Sequence, residues 1–510
     1  MVSRPGGWEW VTLHGALDAW ARATPAHVAV VDEATGVRLT FRELQAWADG
    51  AAGVLAEAGV GPGDRVAYWL ADRAECVALW FGASRLGAAF VPVNPALTVR
   101  EAVRQLTHAA PRLLVCDPER AAAAEQVREM VPGLERTWVV GAPALAAGSP
   151  RPVRTVDPDP GRPLAVLYTS GTTGTPKGAV HTHATWLGWT GALALHHGWT
   201  RRDRLVNPYP LFHMGGAGFS AAALLVGATV ILPGKAAPAR LLEVVARERA
   251  TLLAAVPTVL ARLVGEPAER RAAWDWSALR AILTSSAPLP TRTYRALTAC
   301  WPHAGIWSLY SATEILFTGL DPEDPRPDAQ VVGRPVFGTE IEIRDGAGRP
   351  LPPGETGLIY GRGLSSFAGY WHGPEAFAAD GWFTCRDVGF LDADGRLHLV
   401  DREADWINTG GEKVATPEVE DVLLSHPAVA EVAVVGVPDP EWGERVEAVV
   451  VPRAGEGVDP AGLQAWCRAH LAPYKVPKRI HVATGLPRGS TGKVLKRAIR
   501  ERLQADRAAD

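Results

Sequence analysis

Tyr168-Thr169-Ser170-Gly171-Thr172-Thr173-Gly174-Thr175-Pro176-Lys177-Gly178 is the stretch on which the reading of this chain turns. It follows an apolar run at 164–168 and packs three glycines, five hydroxyl residues and a lysine into positions 169–178. Glycines let the backbone turn its N–H groups toward an anion, hydroxyls add donors, and Lys177 supplies a compact positive charge. The segment reads as a phosphate cradle set between a buried strand and a following helix. The GxxxxGK[ST] spacing is absent, which excludes a P-loop nucleoside triphosphatase. A flexible Ser/Thr/Gly linker has no need of a lysine placed at the end of a buried strand.

Working outward, residues 39–320 alternate amphipathic helical stretches (40–57, 75–86, 100–108, 238–249) with short apolar runs (65–70, 88–92, 113–116, 164–168, 229–232, 252–255, 281–285). This alternation predicts layered α/β architecture with largely parallel sheets, and nucleotide sites in loops at strand C-termini. From 331 to 400 the texture shifts to Gly- and Pro-punctuated strands (340–344, 357–360, 397–400) with turns at Asp345-Gly346 and Asp394-Gly395, a β-rich subdomain. A burst of charge at 401–405 precedes a fresh α/β pattern: helix 417–425, strand 429–437, helix 459–470, strand 479–483. The expected fold is α/β, with a large N-terminal domain over 1–401 and a small mobile C-terminal domain over 402–510.

Composition narrows the function classes. The 510 residues are 47% hydrophobic and 21% charged, the mix of a globular protein. Fifty-two Lys+Arg against 55 Asp+Glu leave a net charge of −3, with no basic excess for a nucleic acid or a membrane surface. Cys76, Cys116, Cys300, Cys385 and Cys467 are scattered, without a CxxC or a Cys/His cluster, and read as reduced thiols. The N-terminal residues lack the pattern of a signal peptide, and the apolar stretch at 217–232 is broken by Gly218 and Gly227; a cytoplasmic protein is expected. Only seven of the 52 basic residues are lysine, so each lysine merits a question, Lys177 and Lys493 above all.

Downstream stand Phe212-His213-Met214-Gly215-Gly216, Tyr310-Ser311-Ala312-Thr313-Glu314, Gly333-Arg334-Pro335, Gly354-Glu355-Thr356-Gly357 and Gly381-Trp382-Phe383-Thr384-Cys385-Arg386-Asp387. Asp401-Arg402, Asn408-Thr409-Gly410-Gly411-Glu412-Lys413 and Gly489-Ser490-Thr491-Gly492-Lys493 follow. With the loop at 168–178 and these eight segments in order, the chain resembles the adenylate-forming superfamily of acyl-CoA synthetases, nonribosomal adenylation domains and luciferases. The likeness extends over essentially its whole length. It implies ATP, Mg²⁺ and coenzyme A as cofactors and a small-molecule carboxylate as substrate; a homodimer is left open. A carboxylate is a poor electrophile, and to become an acyl-adenylate it must meet the α-phosphate among preorganised cations and N–H donors.

The resemblance also implies roles. Thr169, Ser170, Gly171, Thr172, Thr173, Gly174 and Lys177 would hold the phosphates. Ser286, Ala287, Pro288, Tyr310 and Ser311 would form the adenine side, and Asp387 would accept both ribose hydroxyls. Thr313 would bond the α-phosphate, Glu314 would hold Mg²⁺, and Arg402 would support ribose or phosphate. Lys493 would bridge the substrate carboxylate and the α-phosphate in the transition state, and His213 would stand at the mouth of the acyl pocket. Gly410 and Gly411 would flank a pantetheine tunnel, which favours CoA as acceptor; a chain ending at Asp510 has no carrier-protein domain after this module. A non-CoA acceptor, such as a free carrier protein or a nitrogen nucleophile, is the alternative. A catalytically idle nucleotide sensor has no need of Lys493.

Four departures stand out from the common pattern. Ser311 replaces a glycine, Ser285-Ser286 stand where Gly-Gly is common, Cys385-Arg386 replaces Thr-Gly, and Ala404 removes a charge at the hinge position. The added serine bulk is expected to shrink or polarise the acyl pocket and favour a short, aromatic or polar acid. The His181/His183 spacing offers no further metal ligands, and Gly216-Ala217-Gly218-Phe219-Ser220-Ala221 lacks the context of a dinucleotide fingerprint. Trp186, Trp189 and Trp199 read as core packing.

Overall fold

The computed structural model describes residues 12–140, 155–157, 159–169, 177–324, 330–403, 405–409, 412–489 and 493–509. Short runs of wholly buried apolar residues form Ala89–Pro92, Leu113–Cys116, Thr229–Leu232 and Ala281–Thr284. They show no alternation because both faces of their sheets are covered.

Two large sheets result. In the seven-stranded sheet the order is Gly369–Tyr370, Lys177–Thr182, Pro163–Thr169, Ala89–Pro92, Arg65–Trp69, Leu113–Cys116, Arg136–Val139. A thirteen-stranded path contains a parallel run through Val28–Asp32, Thr229–Leu232, Arg204–Val206, Leu252–Ala254, Ala281–Thr284 and Gly305–Ser311. Beyond Gly305–Ser311 that path turns antiparallel through Leu316–Leu320, Val331–Pro335, Leu397–Arg402, Asp387–Leu391, Gly357–Gly363 and Thr339–Arg344. The β-rich stretch is thus a continuation of the parallel sheet.

Helices begin where polar caps stand. Thr40 with Glu43 and Thr98 with Glu101 close reciprocal capping boxes before Phe41–Glu57 and Val99–Ala109. Helix Ala74–Arg85 is buried at every position and reads apolar on all sides except at Glu75 and Arg85; Glu75 is paired with Arg73 at 2.9 Å, and Arg85 with Asp18 and Asp49. Trp186, Trp189 and Trp199 are buried in the main core, as expected of packing residues.

The phosphate-rich loop departs from expectation in one respect: it is followed by a strand. Pro163–Thr169 pairs antiparallel with Lys177–Thr182, with Thr169 opposite Lys177, so the loop caps a hairpin. The helix signal comes later, at Thr182, whose side chain caps His183–His196. The run from Lys177 to Thr182 stays extended because its inner neighbours are strand-like and close: a Cβ at Gly178 would lie 2.8 Å from Val166.

A five-stranded sheet made of Glu412–Val414, Ile407–Thr409, Gly443–Pro452, Val429–Asp439 and Arg479–Val482 forms the C-terminal unit. Ile407, Val419, Leu423, Val434, Val446 and Leu463 belong to its own apolar core, which shares no residue with the clusters of the large sheets. Asp401 ties the two regions: its Oδ2 accepts from the Thr416 amide at 2.7 Å and hydroxyl at 2.9 Å, at the start of helix Thr416–Ser425.

Candidate active site

The expected residues gather at strand ends. Thr169 closes Pro163–Thr169 and Lys177 opens the next strand. Tyr310 and Ser311 end Gly305–Ser311, and Thr313 and Glu314 sit in the turn to Leu316–Leu320, closed by Ala312 N to Ile315 O at 2.8 Å. Asp387 begins Asp387–Leu391 and Arg402 ends the neighbouring Leu397–Arg402, directly opposite it. Ser170, Gly171, Thr172, Thr173, Gly174, Ala404, Gly410 and Gly411 lie outside the described residues.

Asp387 is the centre of one polar cluster. Tyr310 Oη donates to its Oδ2 at 2.7 Å, and Arg402 Nε lies 3.2 Å from Oδ1. The Oδ1 atom is buried and has no partner in hydrogen-bond geometry, so it retains acceptor capacity, the mark of a functional position. One face of the Tyr310 ring stacks on Phe317 with centroids 4.7 Å apart, which fixes its plane. Burial, then the Asp387 charge, push the Tyr310 phenol well above its ordinary range, so it donates.

Glu314 anchors a second cluster. It is buried; desolvation pushes its carboxyl up, while Tyr370 Oη, donating to Oε1 at 2.7 Å, and the Lys177 charge oppose that shift. His181 holds the adjoining peptide, its Nε2 lying 2.8 Å from Thr313 O. Burial lowers His181 to about 4, so the ring is neutral; since a carbonyl only accepts, the proton sits on Nε2 and Nδ1 accepts from Thr185 at 3.3 Å. The residue set aside as a metal ligand thus braces the motif turn.

Four charges meet around one thiol. Burial and then Glu314 and Asp387 push Cys385 up, while Arg402 and Lys493 pull the other way. Lys493, from the C-terminal unit, is therefore turned toward the large unit's carboxylates. Its ammonium is brought down to about 8 by withdrawal from water and by the Arg402 charge, although part of the side chain still faces solvent. His213 stands at the N-cap of Met214–Leu225 with Nε2 buried and without a partner, and burial lowers it to about 4, a neutral imidazole.

The serine pair splits. Ser285 is buried, with Oγ 3.0 Å from Tyr209 Oη and its amide donating to that oxygen at 3.1 Å. Ser286, Ala287 and Pro288 are exposed, so only Ser285 bears on the interior, a correction to the expectation that both serines fill the pocket. Ser286 takes φ +75° and Arg386 φ +61°, the left-handed conformation in which glycine costs nothing. Substitution of glycine is thus absorbed as backbone strain, with the chain path kept. We expect Arg386→Gly to raise the thermal midpoint of the large unit by about 1–2 °C, since relief of about 1 kcal/mol exceeds the exposed Glu403 pair. A scanning calorimetry trace showing a drop would mean the ion pair dominates.

Tyr370 was not anticipated. Its only sequence signal is the aromatic pair Tyr370-Trp371 after Gly369, which propensity alone assigns to an edge strand.

Comparison with known proteins agrees with this geometry. The AMP-binding enzyme model matches residues 17–371, and the AMP-binding enzyme C-terminal domain model matches 418–493. The chain belongs to the AMP-binding enzyme family. It is 37% identical over 499 residues to a feruloyl-CoA synthase of an Amycolatopsis species, covering 95% of this chain and 97% of that one. Among solved structures, ATP-bound MatB from Rhodopseudomonas palustris superposes with a TM-score of 0.87 at 32% identity, covering 96% and 99%. The amide bond synthetase McbA from Marinactinospora thermotolerans gives the same TM-score, 0.87, at 32% identity and the same coverage, 96% and 99%.

Proposed function

We propose that this chain is an AMP-forming acyl-CoA ligase. It joins a carboxylate to the α-phosphate of ATP, releasing pyrophosphate, then passes the acyl group from the adenylate to the thiol of CoA, releasing AMP. The observation that carries this reading is the convergence of Asp387, Glu314, Arg402 and Lys493 around one point, in a chain similar along 95% of its length to a feruloyl-CoA synthase.

In this reading Asp387 accepts the ribose hydroxyls through the oxygen that Tyr310 leaves free, and Tyr310 with Ser286–Pro288 and Ser311 borders the adenine. Lys177 and the loop from Thr169 to Gly174 hold the phosphates, and Thr313 bonds the α-phosphate. Lys493 lies between the attacking carboxylate and that phosphate, lowering their mutual repulsion. Glu314 presents one buried carboxylate with one oxygen bonded to Tyr370, and no cluster of three or more His, Cys, Asp or Glu occurs among the described residues. That set fits Mg²⁺, which binds through one or two carboxylates together with substrate phosphates. Magnesium there would neutralise charge on the phosphates as pyrophosphate leaves.

For the second half-reaction, residues 402–510 act as a small domain that turns against 1–401 and replaces Lys493 with Gly410 and Gly411 beside the CoA thiol. The hinge assignment is supported by Asp401, which binds Thr416, and Arg402, which lies on Asp387. With Ala404 uncharged, Asp405 carries the local charge, 3.6 Å from Arg500 on the last helix. No helix among the described residues is long and apolar enough to cross a membrane; a cytoplasmic placement belongs to the proposal.

The acid class follows from the pocket side of Met214–Leu225. Tyr209 and Phe219 stack with centroids 5.6 Å apart, and Trp189 meets Phe219 edge-on at 6.2 Å. A Cβ at Gly216 would lie 2.0 Å from Pro210 O, so this helix cannot back away. Such packing favours short, aromatic or polar acids. ATP–pyrophosphate exchange across short, long-chain and aryl carboxylates tests this; exchange fastest with palmitate would overturn it. The likeness to McbA favours a second reading, in which a nitrogen nucleophile takes the acyl group in place of CoA.

A further inference from the structure

Tyr370 touches both partners of the phosphate chemistry from a fixed position. Strand Gly369–Tyr370 lies antiparallel on Lys177–Thr182, with Gly369 opposite Val180 and Tyr370 opposite Ala179. Main-chain bonds lock it on either side: Ala368 N to Val180 O at 2.8 Å, and Trp371 N to Gly178 O at 2.7 Å. Two residues earlier Phe367 N donates to Glu314 O at 2.7 Å, tying the same segment to the motif turn. The Phe367 ring meets the Tyr370 ring edge-on at 4.9 Å and sets its plane. From this seat Oη reaches Glu314 Oε1 at 2.7 Å, while Lys177 Nζ lies over the ring, 5.1 Å from its centroid.

We propose that Tyr370 is a positioning residue for adenylate formation: its ring seats the Lys177 ammonium and its hydroxyl aims the Glu314 carboxylate, so one rigid side chain keeps both in register. The inference rests on the reading of Lys177 as a phosphate ligand and Glu314 as the magnesium ligand. Lysine and glutamate each lose up to about 2 kcal/mol of rotamer freedom when ordered. A ring with two torsions, held by its own strand, orders them before the nucleotide arrives, and preorganised donors act without reorganisation. Cation–π contact within about 6 Å also holds an ammonium without neutralising it, leaving its charge for a phosphate.

The test uses the full chain and two substitutions, Tyr370→Phe and Tyr370→Leu, with calorimetric titration of α,β-methylene-ATP in the presence and absence of Mg²⁺. Tyr370→Phe keeps the ring and loses the hydroxyl: metal-free affinity should stay within about twofold of wild type, while the gain on adding Mg²⁺ shrinks about tenfold. Tyr370→Leu loses both contacts, and metal-free affinity should fall a further threefold or more. In steady state Tyr370→Phe should lower kcat more than it raises KM for ATP. A Tyr370→Phe protein with the wild-type magnesium gain would overturn the proposal, as would two variants that weaken binding equally. If Tyr370→Leu does not fold, Tyr370→Phe alone decides. A wild-type chain that binds the analogue without any magnesium gain would instead remove the reading of Glu314 on which the proposal stands.

Discussion

Replacing Lys493 by alanine should slow adenylate formation about 10²–10³-fold, the cost of removing one preorganised donor from a developing anion. Thioester formation from supplied acyl-adenylate and CoA should stay within a few-fold of wild type, because Lys493 leaves the site in that half-reaction. The charge itself is testable through pH. Withdrawal from water and the Arg402 guanidinium bring Lys493 down from 10.5 to about 8, so the ammonium is fully present below that value and is lost as pH rises through it. Adenylation kcat/KM, which reports the free enzyme, should therefore fall on the basic side near pH 8. Lys493→Arg keeps its charge throughout, so its profile should be lower but without that limb. A Lys493→Arg enzyme with the same limb would assign it to another group.

Replacing Asp387 by asparagine should produce the second large effect, on nucleotide affinity. The carboxylate holds Tyr310 Oη with one oxygen and keeps a buried, unfilled acceptor on the other. Asparagine preserves shape and can still accept from Tyr310, but it loses the anionic acceptor for ribose and leaves Arg402 without its counter-charge. Hydrogen bonds to a charged group contribute about 1.5–3 kcal/mol, so ATP affinity should fall about 10–100-fold. The diagnostic comparison is 2′,3′-dideoxy-ATP: wild type should prefer ATP, and Asp387→Asn should bind both alike in equilibrium titrations. A variant that kept the preference would place the ribose elsewhere.

Much of this arrangement is legible in the chain. Apolar runs such as 113–116 and 229–232 are strands because both faces are covered, and capped periodic stretches such as 40–57 are helices; local pattern and burial agree there. Less legible were features that depend on pairing across the chain. The segment after Lys177 is a strand because Thr169 and Gly369–Tyr370 pair with it on either side, information that no local window holds. For the same reason the β-rich stretch joins the parallel sheet through Leu316–Leu320 and Val331–Pro335. At the candidate site, types with distinctive chemistry could be picked from sequence: Asp387, Glu314 and Lys493. Tyr370 and His181 could not, since their roles come from where a strand delivers an ordinary aromatic or a neutral imidazole. The strained Ser286 and Arg386 show a backbone path kept without the glycines that would make it easy.

The central claim is the pairing of adenylation with transfer to CoA, and mass spectrometry of the products tests it most directly. The full chain is incubated with ATP, Mg²⁺ and pooled short, long-chain and aryl carboxylates, with and without CoA. The account predicts acyl-CoA only when CoA is present, drawn from the short or aryl acids, with AMP formed in equal amount. Acyl-adenylate accumulating to the same extent with and without CoA, and no thioester, would contradict it and make the acceptor a different nucleophile.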